Sequence, residues 1–206
     1  MAYLHMYSNP TSGGVDGTLI SENTGLAPFT LTLNASNNEV SSATKLALRC
    51  ETNFQTSSGT STVITPTGKS STVSGTNDSG QAIINVADGT VFRGGESIII
   101  GTGGTVETKV IQSISTNALT LTTSLVNSHS NGETVISNSS SKWYLAPDSS
   151  GSAGEFGSAG GALTITEQIT TINKIFWIKA SSTETEIPWN DNTVYLNVTA
   201  QVESTL

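Results

Sequence analysis

An all-β fold, an antiparallel β-sandwich accompanied by a small β-barrel-like module, is what this sequence predicts, and three observations predict it. Short runs alternate apolar and polar residues with period 2, the spacing that sends successive side chains to opposite faces of a strand. Clusters of Gly, Asn and Ser separate these runs and supply the turns. Helical periodicity is scarce. Composition agrees, because only 12% of the 206 residues are charged and 35% hydrophobic, with Ser, Thr, Gly and Asn filling the remainder. Such a mix also suits disorder, but disordered chains carry high charge and few β-branched residues, whereas Val, Ile, Thr and Leu recur here in clusters.

The expected strands are, in order, "FTLTLNA" (29–35), "KLALRC" (45–50), "STVITP" (61–66) and "AIINVA" (82–87). Next come "ESIIIG" (96–101), "VETKVIQSI" (106–114), "ALTLTT" (118–123) and "ETVIS" (133–137). "ALTITE" (162–167), "KIFWIKA" (174–180) and "TVYLNVTAQV" (193–202) complete the series. Tyr3, Leu4 and Tyr7 precede the Gly-rich "SGGVDG" and form either a first sandwich strand or an N-terminal arm reaching a neighbour.

Two stretches, "PTGKSSTVSGTNDSG" (66–80) and "SNSSSK" (137–142), are polar and linker-like. Between them lies a self-contained strand series. Residues 1–75 and 139–206 are therefore expected to share one sandwich, with 76–138 as an inserted module; three beads in a row is the competing arrangement. In the module, Asp88–Gly89 and Gly94–Gly95 read as turns flanking a strand that contains Val91 and Phe92. "GTGG" (101–104), "STNA" (115–118) and Asn131–Gly132 close further turns, the glycines accepting the positive φ that such turns need. His129 precedes the last of these and is expected to be a loop residue.

Charge narrows the function classes. Lys+Arg 8 against Asp+Glu 16 gives a net charge of −8, with no basic stripe for phosphates or for an anionic membrane. Neither nucleic acid nor a membrane is an expected partner. Cys50 is the one cysteine, in a strand-like run, and reads as a buried free thiol. The start, "MAYLHMYSNPTSGG", has neither a basic nor an apolar signal-peptide region, so synthesis without a secretory signal is expected. "PTGKS" lacks the first glycine of a phosphate loop, since Val63 stands there, and no helix pattern follows. Glu184 and Glu186 alternate beside Trp189, as an acid pair of a glycosidase would, but the expected reading is an exposed polar loop before the last strand, with Pro188 breaking the ladder and Trp189 packing on the sandwich edge. Asp191 and its asparagine neighbours lack a calcium-loop pattern. No enzyme, cofactor or metal is expected.

Two stretches carry a family resemblance. "VADGTVFRGGESIIIGTGGTVETKVIQSISTNALTLTTSLVNSHSNGETV" resembles a small β-module recurring in structural proteins of tailed bacteriophages, with an entry strand, a Gly-Asp/Glu turn, a "V-x-S-I" strand, an "L-T-L" strand and a closing His-x-x-Gly-x-x-Val. The stretch from "KWYLAPDSSG" to "LNVTAQVES" is similar to phage virion proteins with an immunoglobulin-like sandwich flavour. The resemblance implies a non-enzymatic virion component, a capsid decoration or a tail or neck protein, that assembles in the host cytoplasm with copies of itself and with other virion proteins. It places His129 and Gly132 in the module's closing turn. The alternative is an adhesin module for a host-surface glycan. The residues expected to touch a partner or a glycan are Tyr3, Tyr7, Tyr144, Trp177 and Trp189; alternation puts Phe176 and Trp177 on opposite faces of their strand.

Overall fold

The computed structural model describes residues 3–20, 29–34, 37–183 and 192–206, and the chain is all-β. Its strands begin with β1 (Leu4–Ser8), β2 (Thr18–Leu19), β3 (Thr44–Cys50), β4 (Phe54–Thr56), β5 (Thr62–Gly68) and β6 (Ser70–Thr72). They continue with β7 (Ile83–Asn85), β8 (Ser97–Ile100), β9 (Glu107–Ser115), β10 (Ala118–Leu121) and β11 (Thr134–Ser137). The last are β12 (Trp143–Ser149), β13 (Ser152–Ala153), β14 (Leu163–Ile165), β15 (Lys174–Ala180), β16 (Val194–Thr199) and β17 (Val202–Ser204). Two compact units hold them. One is formed by the described residues within Met1–Pro66, Lys142–Glu184 and Leu196–Leu206, the other by those within Thr67–Ser141 and Thr185–Tyr195.

The first unit is a sandwich. One layer is a six-stranded antiparallel sheet in the order β13-β12-β15-β3-β1-β2, faced by β14-β5-β16 and by the pair β17-β4. Alternation fills the space between the layers. Leu46, Leu48 and Cys50 of β3, Phe176 and Ile178 of β15, Met6 and Leu145 meet Ile64, Leu163 and Ile165 from the opposite layer. Each large side chain buried there is worth about 1.5–3 kcal/mol in removed apolar surface. Cys50 is a buried free thiol, as its run suggests.

The second unit curls. Its sheet runs β6-β11-β8-β9-β10-β7, and the two end strands meet at an antiparallel bridge between Val73 and Val86. Hydrogen bonds from Ser74 N to Asn85 O and from Ala87 N to Thr72 O, both 2.8 Å, make that seam. Closure removes the unpaired donors that edge strands would expose. A bulge where β9 pairs with β10 sharpens the curl. The interior holds Val73, Ile84, Phe92, Ile98, Ile100, Ile111, Leu119 and Val135.

Four expectations need correction. Residues 29–34 of "FTLTLNA" form no strand, although Phe29 packs against the sandwich core. Val91 and Phe92 lie in a turn, from which Phe92 inserts into the barrel; its burial, not strand pairing, uses the ring. The polar stretch 66–80 contains the end of β5 and all of β6, because β6 pairs with β11 and alternation turns Ser71, and Val73 after it, inward. The run 193–202 divides into β16 and the start of β17.

Candidate functional site

Three of the five expected contact residues share one surface. Alternation in β15 sends Phe176 inward and Trp177 outward, and the same logic places Tyr7 and Tyr144 on the outer face of the six-stranded sheet. Each ring there faces a cation from the adjacent strand. Lys179 of β15 stands directly opposite Tyr144 of β12, its Nζ 5.4 Å from that ring's centre and 4.1 Å from the ring of Phe156. Lys45 of β3 stands opposite Trp177, with Nζ at 5.1 Å. The guanidinium carbon of Arg49 lies 3.5 Å from the centre of the Tyr7 ring on β1. Four strands, β12, β15, β3 and β1, are thus tied by three cation–ring pairs, the cross-strand units that stabilise a sheet.

Polar contacts fix the ladder's members. Trp177 Nε1 donates to Asp148 Oδ1 at 2.8 Å. Arg49 Nη1 donates to Asn173 Oδ1 at 2.8 Å and to the carbonyl of Asp16. Lys45 and Lys179 have no carboxylate partner among the described residues, so their charge is left uncancelled on a half-buried face. Tyr3 lies apart from the ladder, stacked on Phe54 with ring centres 3.9 Å apart. It precedes β1, and Leu4 and Tyr7 belong to that strand, so these residues form a sandwich strand in place of a free arm. Trp189, and with it Glu184, Glu186 and Asp191, lies outside the described residues.

The second constellation is one that the sequence analysis did not find. His129 is fully buried, and both ring nitrogens face carboxylates: Nδ1 is 2.8 Å from Glu133 Oε2 and Nε2 is 2.8 Å from Glu107 Oε1. An ionised carboxylate only accepts hydrogen bonds, so the two contacts are satisfied together when both ring nitrogens carry hydrogen. Lys109 Nζ lies 3.0 Å from Glu107 Oε2 and donates to Ser124 O. Two carboxylates, an imidazole and an ammonium are thus gathered in one group, with His129 and Lys109 buried and Glu133 partly exposed. Burial pushes the Glu107 carboxyl up, but the backbone N–H groups of Val126 and Asn127, His129 and Lys109 together outweigh it and bring it down to about 2. The Ser130 N–H, then His129, lower that of Glu133. Gly101, at φ +83°, makes room: a Cβ there would sit 3.0 Å from His129 Cε1 and 3.1 Å from Glu133 Oε2.

His129 is accordingly no ordinary loop residue. It lies in the connection before β11, as expected of a loop residue, but it is fully buried between two glutamate carboxylates. A signal existed. Glu107 and Lys109 share a strand face with buried Ile111, which sends two opposite charges toward the core. Chemically the group is saturated: both ring nitrogens are engaged and the ring has no exposed surface. It holds charge and geometry. Among the described residues, no group of three His, Cys, Asp or Glu side chains is set to hold a metal ion.

Comparison with known proteins gives neither a matching family model nor a matching curated protein. Among solved structures, the chain is similar to the VP16–VP17 complex of the two major capsid proteins of bacteriophage P23-77, at 13% identity and a TM-score of 0.27, covering 86% of this chain and 94% of that one. It is also similar to VP17, a capsid protein of the same phage, at 13% identity and a TM-score of 0.24, over 86% and 92% of the two chains. Likeness at those scores carries no functional weight.

Proposed function

We propose that this chain is a non-enzymatic structural component of a bacteriophage virion, a capsid decoration or a tail or neck protein. It works by assembling with copies of itself and with other virion proteins, and residues 76–138 are a module inserted into its sandwich. The observation that carries the assembly reading is the cation-bearing outer face of the six-stranded sheet. Three of the chain's eight Lys and Arg residues, Lys45, Arg49 and Lys179, stand on that face of a molecule whose net charge is −8. A second copy presents surplus carboxylates, and complementary potentials orient and hold such contacts. The virion assignment itself is supported by the sequence resemblance of residues 86–135 and of the C-terminal stretch to phage structural proteins.

A host-surface glycan is the second reading, favoured by the clustering of Tyr7, Tyr144 and Trp177 on one face. It has a geometric obstacle, since a sugar stacks on a ring face and each of these rings already carries a cation. Mass spectrometry of purified phage particles from the source culture tests the proposal. Peptides of this chain at a fixed copy number relative to the major capsid protein are expected; absence from the particle overturns the virion reading. Sedimentation of the purified chain at low and high salt tests the interface. Salt-sensitive association that Lys45→Glu with Lys179→Glu abolishes is expected, and association indifferent to both would refute it.

A further inference from the structure

We propose that the Glu107–His129–Glu133 group is an acid-released lock on the barrel seam, closed while both carboxylates are ionised and opening when they take up protons. The locked turn holds one side of the seam. Its backbone binds the segment 73–77 along its length: Val73 N donates to Glu133 O at 2.7 Å, Gly132 N to Val73 O at 2.8 Å, and His129 and Asn77 exchange two bonds at 2.8 and 3.0 Å. That same segment is one side of the seam, joined to β7 through Ser74 N to Asn85 O at 2.8 Å and through the Asn77 side chain, which accepts from Asn85 N at 3.0 Å. The lock therefore sits one strand away from the place where the sheet closes on itself.

The charged groups facing the His129 ring are few and come from two elements. β9 supplies Glu107 and, behind it, Lys109; the turn supplies Glu133. The β8–β9 connection contributes only Gly101, which carries no charge, and the 73–77 segment contributes Asn77 through its backbone. Protonating the carboxylates leaves His129 and Lys109 as two buried cations whose partners no longer offset the cost of burying them. Both carboxyl groups are held below their ordinary range, so the sign is fixed: the contribution is complete above the ordinary carboxylate range and is lost as pH falls through the lowered values. Opening the turn is the relief available, because it returns His129 to water and frees the Asn77 pairing.

Two measurements on the full chain test this. The first is ring ¹⁵N NMR near neutral pH, with His5→Gln used to assign the second histidine, whose exposed contact to Glu51 is separate. Both His129 nitrogens are expected in the protonated range; an unprotonated nitrogen overturns the lock. The second is amide protection, corrected for intrinsic exchange, followed from near neutral pH into acid. Protection at residues 73–77 and 127–133 is expected to fall tenfold or more before that of β3 and β15 changes. Glu107→Gln with Glu133→Gln is expected to abolish that acid step. A wild-type seam whose protection stays constant, or falls only together with the sandwich strands, overturns the proposal without recourse to any variant.

Discussion

Glu107→Gln is the substitution whose outcome the structure fixes most closely. The change keeps the shape and removes the charge. At neutral pH it leaves His129 with one ionised partner and Lys109 with none, and breaking a buried pair in this way costs about 3–5 kcal/mol. The pH dependence is sharper still. Glu107 is held from 4.5 down to about 2, a depression worth about 3 kcal/mol of stability. Because the folded value lies below the unfolded one, that stability is full above the unfolded value and disappears as pH falls through the folded value. The glutamine cannot titrate, so the stability gap between wild type and variant should shrink by about 3 kcal/mol between neutral pH and a pH of about 2. Urea unfolding of the barrel, followed through the amide signals of Ile98 and Ile111, reads this directly, since both residues are buried in its core. A gap that stays the same at both ends of the range would refute the argument.

Three further outcomes follow from the geometry. Gly68→Ala should cost about 3 kcal/mol or more, because a Cβ there would lie 2.0 Å from the carbonyl oxygen of Ser137, a backbone atom that cannot swing away; thermal unfolding measures it. A double-mutant cycle of Lys45→Met and Trp177→Leu should return a coupling of about 0.5–1 kcal/mol, the worth of a cation over a partly exposed ring, and a value near zero would dissolve the ladder. Cys50 should stay unreactive toward a thiol reagent in the folded protein and react at the rate of unfolding, because burial both shields its Sγ and pushes the thiol up; prompt labelling of native protein would contradict its packing.

Much of the fold was legible because strands declare themselves by alternation. "KLALRC" reads as Leu46, Leu48 and Cys50 on one face, and that face is the core. "KIFWIKA" separates Phe176 from Trp177 in the same way. What failed were places where alternation and burial part company. "FTLTLNA" alternates as well as any run, yet residues 29–34 find no strand partner, and pairing is a tertiary property that a local pattern cannot contain. β9 misleads differently: Val106 and Val110 invite an inward reading, but both are exposed while Lys109 and Ile111 point in. A one-residue change of parity moves every side chain to the other face, and here it delivers the charges that clamp His129. The candidate face was half legible. The rings were visible in the sequence, but the cations covering them were not, because Lys45 and Trp177 are more than a hundred residues apart and meet only through strand pairing.

The two charged groups differ in what they leave over, and that difference bears on function. In the barrel, Glu107, Lys109 and His129 are turned inward and paired with one another and with the partly exposed Glu133, so they hold the turn in place and project little field. On the sandwich face the partners of Lys45 and Lys179 are rings, which attract a cation through their quadrupole yet carry no net charge. The ladder thus fixes the position of two ammonium groups without neutralising them, a combination that an ordinary surface salt bridge does not give. If that face binds an acidic surface of another copy, charge and packing should separate under mutation. Lys45→Met with Lys179→Met keeps the aliphatic cover of the rings and should lose association while stability changes by about 1 kcal/mol or less for each residue. Trp177→Leu keeps both charges and should lower stability first. Should the methionine pair associate as the wild type does, the rings and not the charges make the contact, and the glycan reading gains the ground that the assembly reading loses.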